Sequence, residues 1–330
     1  MGEWVRTHRT LVLLAVLALL VLAPLAIRSN YLMRVAVIIV LYTVLASSLN
    51  VINGFSGQFN IGHAGFYCVG AYTAGILATR LHWSFWLLLP VSGLMAAGAS
   101  FLLGWPTSRL KGVFLAIATL GFSEIIRLTV LNWTSLTRGP YGIPGIPFPK
   151  LFGLTIKTNL QFYYVILAIA VLMVWSTYRI INSRIGRAWL SIREDELTAR
   201  AMGVETVKYK LLNLAVGTFW AGVAGCFYAF FASYISADSF KLDEGFSILA
   251  MVLVGGQGSL LGPILGAAFL TVLPEIFRGM AEYRMVVFGL MIIVTMFFRP
   301  QGIAGGDLLP AWLSGKRPAA PKHTGATEVA

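Results

Sequence analysis

Long runs of residues without charge constrain this chain more than any other feature. Leu11 to Ile27 carries no charged side chain, and neither does Val35 to Ile52, Trp83 to Ser108, Leu160 to Tyr178 or Val286 to Phe298. A hydrocarbon core about 30 Å thick takes about 20 apolar residues of helix to cross. In that medium only helices and closed barrels satisfy their own backbone groups. Barrel strands would read as short alternating segments, whereas these blocks are continuous, so the periodicity predicts helices.

Composition agrees. Of 330 residues, 58% are hydrophobic and 12% charged, about half the charged fraction of a soluble domain. Cys68 and Cys226 both sit inside apolar blocks, which points to neither a disulfide framework nor a metal site. The formal charge of +12 does not imply nucleic acid, because the excess Lys and Arg lie in loops beside the apolar blocks. Arg6 and Arg9 before the first block resemble a signal peptide. The run is too long and lacks a small-x-small cleavage site, so it reads as a retained helix.

Orientation follows from the positive charges. Arg179, Arg184, Arg187, Arg193, Arg200, Lys208 and Lys210 crowd one polar stretch, which is expected in the cytoplasm. Arg6, Arg9, Arg109, Lys111, Arg299, Lys316, Arg317 and Lys322 fit the same side, with both termini inside. The expected fold is all-α: a polytopic membrane helix bundle of roughly eight to ten spans. The crossings are expected at 11–27, 32–52, 64–80, 84–105, 113–131, 160–178, 211–233, a pair within 246–278, and 283–298. Residues 1–310 would form the transmembrane domain and 311–330 a disordered cytoplasmic tail, rich in Ala, Pro, Gly and Lys. The Gly- and Pro-rich stretch from Asn132 to Asn159 would be a turn-rich outer loop.

Two stretches interrupt the helical pattern. One runs Asn53-Gly54-Phe55-Ser56-Gly57-Gln58-Phe59-Asn60-Ile61-Gly62-His63. The other runs Gly255-Gly256-Gln257-Gly258-Ser259-Leu260-Leu261-Gly262-Pro263. Irregular backbone at membrane depth needs protein or a water-filled cavity around it, and paired Gly-interrupted segments in two halves of a transporter point to its pathway. A tight cytoplasmic turn between ordinary helices fits each stretch equally well. The candidate pathway residues are Ser56, Gly57, Gln58, Asn60, Gly62, His63, Gly255, Gly256, Gln257 and Gly258. Ser56, Gln58, Asn60 and Gln257 would be the dipoles that meet a polar substrate group. His63 reads better as a hydrogen-bonded residue fixing the broken segment than as a titrating ligand.

Between Ile185 and Lys210 the apolar residues Ile185, Ala188, Ile192, Ala199 and Met202 recur at helical spacing. Ser191 with Glu194 suggests a capping box, Asp195 and Glu196 suit a helix start, and Gly203 suits a left-handed end. The expectation is one short amphipathic helix on the cytoplasmic surface. It would serve as a rigid lever or rest on lipid headgroups, although Glu194, Asp195, Glu196 and Glu205 disfavour anionic lipid as sole partner.

The run from Gly186 to Gly203 resembles the coupling segment of the LivM-type branched-chain amino acid permeases of ATP-binding-cassette importers. Glu196, Ala199, Ala201 and Gly203 stand as a loose form of the importer pattern. Ser56-Gly57-Gln58, Gly62-His63-Ala64-Gly65-Phe66, Thr119-Leu120-Gly121-Phe122, Glu124-Ile125-Ile126-Arg127, Gly142-Ile143-Pro144-Gly145 and Gly255-Gly256 with Gly262-Pro263 are similar to other segments of that family. The likeness spans roughly residues 30–305. One departure is Arg138-Gly139, where the family often has two glycines after the threonine; it bears on docking of a binding protein or on substrate choice. Urea permeases share most of these motifs.

The resemblance implies a division of labour. This chain would pair with a sister permease subunit, receive substrate from a periplasmic or tethered binding protein, and be driven by two cytoplasmic ATPase subunits. ATP and Mg would sit on those subunits, with no cofactor in this chain, which has no Gly-x-x-x-x-Gly-Lys-Ser/Thr motif. It would not be an enzyme in itself. Arg193, Asp195, Glu196, Ala199, Ala201 and Gly203 would couple to the ATPase. Arg138, Gly139, Gly142 and Pro144 would meet the binding protein, and the chain would sit in a bacterial inner membrane. An ion-coupled secondary transporter would need midspan carboxylates, of which the sequence has few. A membrane enzyme would need a titratable cluster, and none is visible. Glu124 with Arg127, and Glu275 with Arg278, are spaced to pair on one helix face. Trp83, Trp86 and Trp133 suit an interface belt, while Ala96, Ala97, Gly98, Gly222 and Gly225 suit close helix packing.

Overall fold

The computed structural model describes residues 29–151 and 154–276, with 21–22, 24, 289–290, 293–295, 297–298 and 302–304. The crossings expected at 11–27 and 283–298 lie largely outside these residues, and the tail and Arg278 lie wholly outside them.

The helices are α1 (Asn30–Asn50), α2 (His63–Arg80), α3 (Phe85–Thr107), α4 (Gly112–Asn132), the single turn α5 (Thr134–Thr137) and α6 (Asn159–Ile181). They continue with α7 (Arg184–Glu194), α8 (Glu196–Ala201), α9 (Thr206–Ala232), α10 (Leu242–Gly255) and α11 (Gly262–Ile276). Among the described residues five helical segments are long and apolar enough to cross a membrane: α1 with its extension to Phe55, α3, α4, α6 and α9. Helix α2 runs between the same two ends. Helices α10 and α11 would each span only about 21–23 Å at 1.5 Å per residue, short of a full crossing.

Burial separates core rods from rim. Within the most apolar stretch of each, 78% of α9 and 72% of α1 is buried, against 39% of α3, 33% of α6 and 22% of α4. Helix α9 packs on α3, α2 and α1; α1 also packs on α6 and α11. The rim exposes Leu102, Trp105, Val113, Phe114, Ile117, Ile125 and Trp175. An apolar surface so continuous belongs against lipid rather than water.

Small residues let the core close. Gly222 lies against Ser92, Gly93 and Ala96 of α3, and Gly225 against the Tyr67 carbonyl of α2. Any larger side chain at either position would strike backbone. Gly98, expected in the same role, faces open space instead, because it falls on the exposed side of α3. Glu124 and Arg127 meet as expected, with Arg127 Nε donating to both carboxylate oxygens at 3.0 Å.

At one end of the bundle the loops are stitched by β bridges. Ile143 pairs with Ile235 and Pro144 with Tyr234, joining β1 (Ile143–Pro144) to β4 (Tyr234–Ile235); β2 (Lys150–Leu151) pairs with β3 (Leu154–Thr155). The turn-rich loop is thus tied to the segment after α9. Helices α7 and α8 occupy the opposite end.

Candidate functional site: the coupling element and the Gly-rich clasp

At the α7/α8 end the expected single amphipathic helix is two. Ser183, not Ser191, starts α7, its hydroxyl accepting from the Ile185 amide at 3.1 Å. Ser191 lies inside the helix and donates to the Ala188 carbonyl. The chain breaks at Asp195, which is extended and starts α8. Its carboxylate accepts from the amides of Leu197 (2.8 Å) and Thr198 (3.3 Å) and from the Thr198 hydroxyl (2.8 Å). These donors hold the Asp195 carboxyl below the ordinary aspartate range. An aspartate satisfies orphan amides more readily than it continues a helix, so the break falls there. Gly203 adopts φ +84° and ends the element as expected.

The element is held by three anchors. Trp189 is 1% exposed and its indole donates to the Tyr209 carbonyl at 2.9 Å, fixing α7 to α9. Glu196 binds Lys210 of α9 at 2.7 Å and Lys111, before α4, at 2.9 Å. Burial disfavours its charge, but the hydrogen bonds and charges of the two lysines outweigh this and keep its pKa below the ordinary glutamate value. Arg193 reaches in the other direction, its guanidinium donating to the Gly54 carbonyl at 2.5 Å.

That contact connects α7 to both Gly-rich stretches. Helix α1 ends in a wide turn, Val51–Phe55, whose Val51 carbonyl accepts from Asn213. Asn50 accepts from the Gly258 amide at 2.9 Å and donates to the Ser259 carbonyl at 2.8 Å. The two stretches therefore touch directly. A Cβ on Gly54 would come within 2.5 Å of the Gly258 nitrogen, and one on Gly258 within 2.5 Å of Arg193 Nη1. Gly258 also sits at φ +76°. Glycine is required where three segments meet this closely.

The predicted pathway residues divide by environment. Gln58 is buried and donates to Ser56, the Lys210 carbonyl and Asn213, each at 3.1 Å. Asn53 and Asn60 close the loop through side chain and backbone. Gly57, at φ +69°, rests on Arg193. Gly62 packs on the Thr119 carbonyl. His63 is fully buried and shares a 2.7 Å hydrogen bond with Ser48, the fixing role expected for it. Gly255 packs against Gly262 and Gly266, and Gly256 against Gly302, whose neighbours Ile303 and Ala304 donate to the Val254 and Gly255 carbonyls at 2.8 Å. Gln257 stands apart and exposed. Beside Gln58 and Asn60 there is a void of about 20 Å³, room for one water. In this state the stretches form a packed clasp.

A family comparison places the chain. The family described as "Branched-chain amino acid transport system / permease component" matches residues 31–296. This chain belongs to that permease family. It is 38% identical over 316 residues to the high-affinity branched-chain amino acid transport system permease protein LivM of Escherichia coli (strain K12), covering 89% of this chain and 74% of the relative. It is also 25% identical over 294 residues to the permease protein LivH of Salmonella typhimurium, covering 80% of this chain and 91% of that one. The chain is thus a multi-pass membrane permease similar to two differently named permeases, each described as part of a high-affinity branched-chain amino acid transport system.

Sequence reasoning placed Arg193 in the expected coupling segment but missed what it touches. It also missed Asn50, Asn213, Lys111 and Lys210. The available signal was polar or charged side chains at the ends of apolar runs, where each needs a partner. At the opposite end the outer-loop residues form one corner. Arg138 is exposed at φ +62°, Gly139 is buried at φ +57°, Gly142 packs on the Ile235 carbonyl, and Pro144 sits in the β1–β4 bridge.

Proposed function

We propose that this chain is one permease subunit of an ATP-driven importer of branched-chain amino acids in a bacterial inner membrane, with the α7/α8 end and both termini in the cytoplasm. Two cytoplasmic ATPase subunits carry ATP and Mg, and a LivH-like sister permease completes the membrane part. A periplasmic or tethered binding protein delivers substrate to the corner formed by Arg138, Gly139, Gly142 and Pro144. The chain itself hydrolyses nothing.

The carrying observation is the coupling element's two-sided construction. Its inner side is fixed by Trp189, Arg193 and Glu196. Its outer side presents Leu197, 69% exposed, and Met202, 81% exposed, with Ala201 and Gly203 beside them. Exposed apolar residues on a rigid, internally anchored element suit a groove on a soluble partner. A push there passes through Arg193 to Gly54 and Gly258, and so to the ends of α1 and α10. These helix ends part and close with the nucleotide cycle. The positive-inside distribution supports the orientation, and family membership supports the ligand class.

The test is ATP-dependent uptake by the reconstituted complex, with leucine, isoleucine, valine and urea in competition. Uptake blocked by the three amino acids and indifferent to urea is expected. Blocking by urea alone would assign the other ligand, and hydrolysis by the purified chain would refute the division of labour.

A further inference from the structure

At the end of the bundle away from the coupling element, a cavity of about 440 Å³ opens between α1, α2, α9 and the start of α10. Its size is that of a small-molecule pocket, and its lining carries both signs of charge. Arg34, on α1, stands at the mouth with its guanidinium 5.7 Å from the centre of the Phe231 ring. Glu244, in the first turn of α10, takes a hydrogen bond from Tyr42. Ile38, Leu41, Tyr67 and Phe231 supply apolar wall.

Arg34 and Glu244 line the cavity without meeting, alongside Asp238, Lys241 and Asp243. Among the described residues no carboxylate lies within 4.0 Å of the Arg34 guanidinium, and no cation within that distance of Glu244, whereas the neighbouring Lys241 and Asp238 do pair, at 3.0 Å. A charged group turned into a walled cavity is costly without a partner. A cation and an anion separated across an apolar-walled pocket complement a molecule bearing both charges at one end and a hydrocarbon at the other. The planar guanidinium suits a carboxylate, bound in two-point fashion. The Glu244 carboxylate suits an ammonium.

We infer that this cavity is a transient site for the substrate inside the permease: Arg34 takes the α-carboxylate of an aliphatic amino acid, Glu244 its α-ammonium, and the Leu41–Phe231 wall its side chain. The assignment rests on the amino-acid reading under Proposed function and adds a location to it. It also moves recognition of the charged ends away from the Gly-rich clasp, where the buried amide of Gln58 is already spent on internal hydrogen bonds.

The experiment uses the assembled permease–ATPase complex in nanodiscs, without binding protein, titrated with radiolabelled leucine; uptake by the same complex with binding protein is measured in vesicles. Arg34→Gln and Glu244→Gln should each weaken leucine binding about tenfold or more, with Arg34→Lys restoring part of the loss. Two analogues probe the wild-type complex without any substitution. Isocaproate lacks the ammonium and leucinamide lacks the carboxylate, and both should compete at least about tenfold more weakly than leucine. Glu244→Gln should not weaken isocaproate further, nor Arg34→Gln leucinamide, a pairing that a merely structural role does not produce. The site is overturned if wild-type vesicles take up leucine while the complex binds none. It is equally overturned if both analogues compete as well as leucine, or if neither substitution changes leucine binding. Vesicles that take up no branched-chain amino acid would instead refute the function on which the site rests.

Discussion

The Asn50 carboxamide joins two segments more than two hundred residues apart, accepting from the Gly258 amide at 2.9 Å and donating to the Ser259 carbonyl at 2.8 Å. The side chain is 2% exposed, so water cannot replace either bond. One residue thereby sets the ends of α1 and α10 against each other, beside the guanidinium of Arg193.

Asn50→Ala should cost about 1–3 kcal/mol by leaving buried backbone groups without partners. Asn50→Asp, which sets a buried carboxylate oxygen against the Ser259 carbonyl, should cost at least as much. Thermal unfolding of the purified complex in detergent reads the order; an alanine variant as stable as the parent would mean that the two stretches do not depend on this tie.

Arg193→Ala should lower ATP-dependent uptake about tenfold or more, the scale of one charge-assisted hydrogen bond, while the chain still inserts and assembles. Arg193→Lys should recover little, because one ammonium does not reproduce the guanidinium's reach and fork. Equal uptake by all three would show that the lever does not act through Gly54.

Leu197→Asp and Met202→Asp should disrupt association with the ATPase subunits and leave folding unchanged, since both side chains are exposed. Co-purification measures the first effect and thermal unfolding the second. Full recovery of ATPase with both variants would place the docking surface elsewhere.

The anchoring of α8 should depend on acid in one direction. The lysines lower the Glu196 pKa below its unfolded value of 4.5, so the stabilisation is fully present above about pH 4.5 and is lost as pH falls through the lowered value. Glu196→Gln should remove the part due to the lysines and leave the part due to the Asp195 cap, whose carboxyl is also held low. Proteolytic sensitivity of the 195–205 segment across pH 5 to pH 3, about the range concerned, would report it; identical profiles for parent and variant would exclude the mechanism.

Arg138→Gly should be neutral or stabilising by about 1 kcal/mol, because Arg138 holds φ +62°, where a Cβ is penalised. A clear loss of melting temperature would mean that the side chain earns its place through contacts at that corner. Uptake of leucine by the same variant would separate a docking role from a backbone one.

Much of this permease was legible from residue order because lipid imposes a simple requirement. A run such as Val35–Ile52 must be helical to satisfy its own backbone, and a cluster of arginines such as Arg179–Arg200 must stay outside the membrane. Gly203, His63 and the Glu124–Arg127 pair were legible for the same kind of reason, since the local chemistry of each has few solutions. The break at Asp195 was missed because two local solutions, a capping box at Ser191 and a cap at Asp195, compete, and in the folded chain Asp195 takes the amides of Leu197 and Thr198. Tertiary structure alone decided that Gly54 and Gly258 meet under Arg193, that Glu196 faces inward to Lys111 and Lys210 rather than outward to a partner, and that Arg34 and Glu244 line one cavity. Those relations join residues from different helices, and no periodicity along the chain records which helix faces which. They follow from how closely the glycines let the rods approach, a property of the folded arrangement in three dimensions.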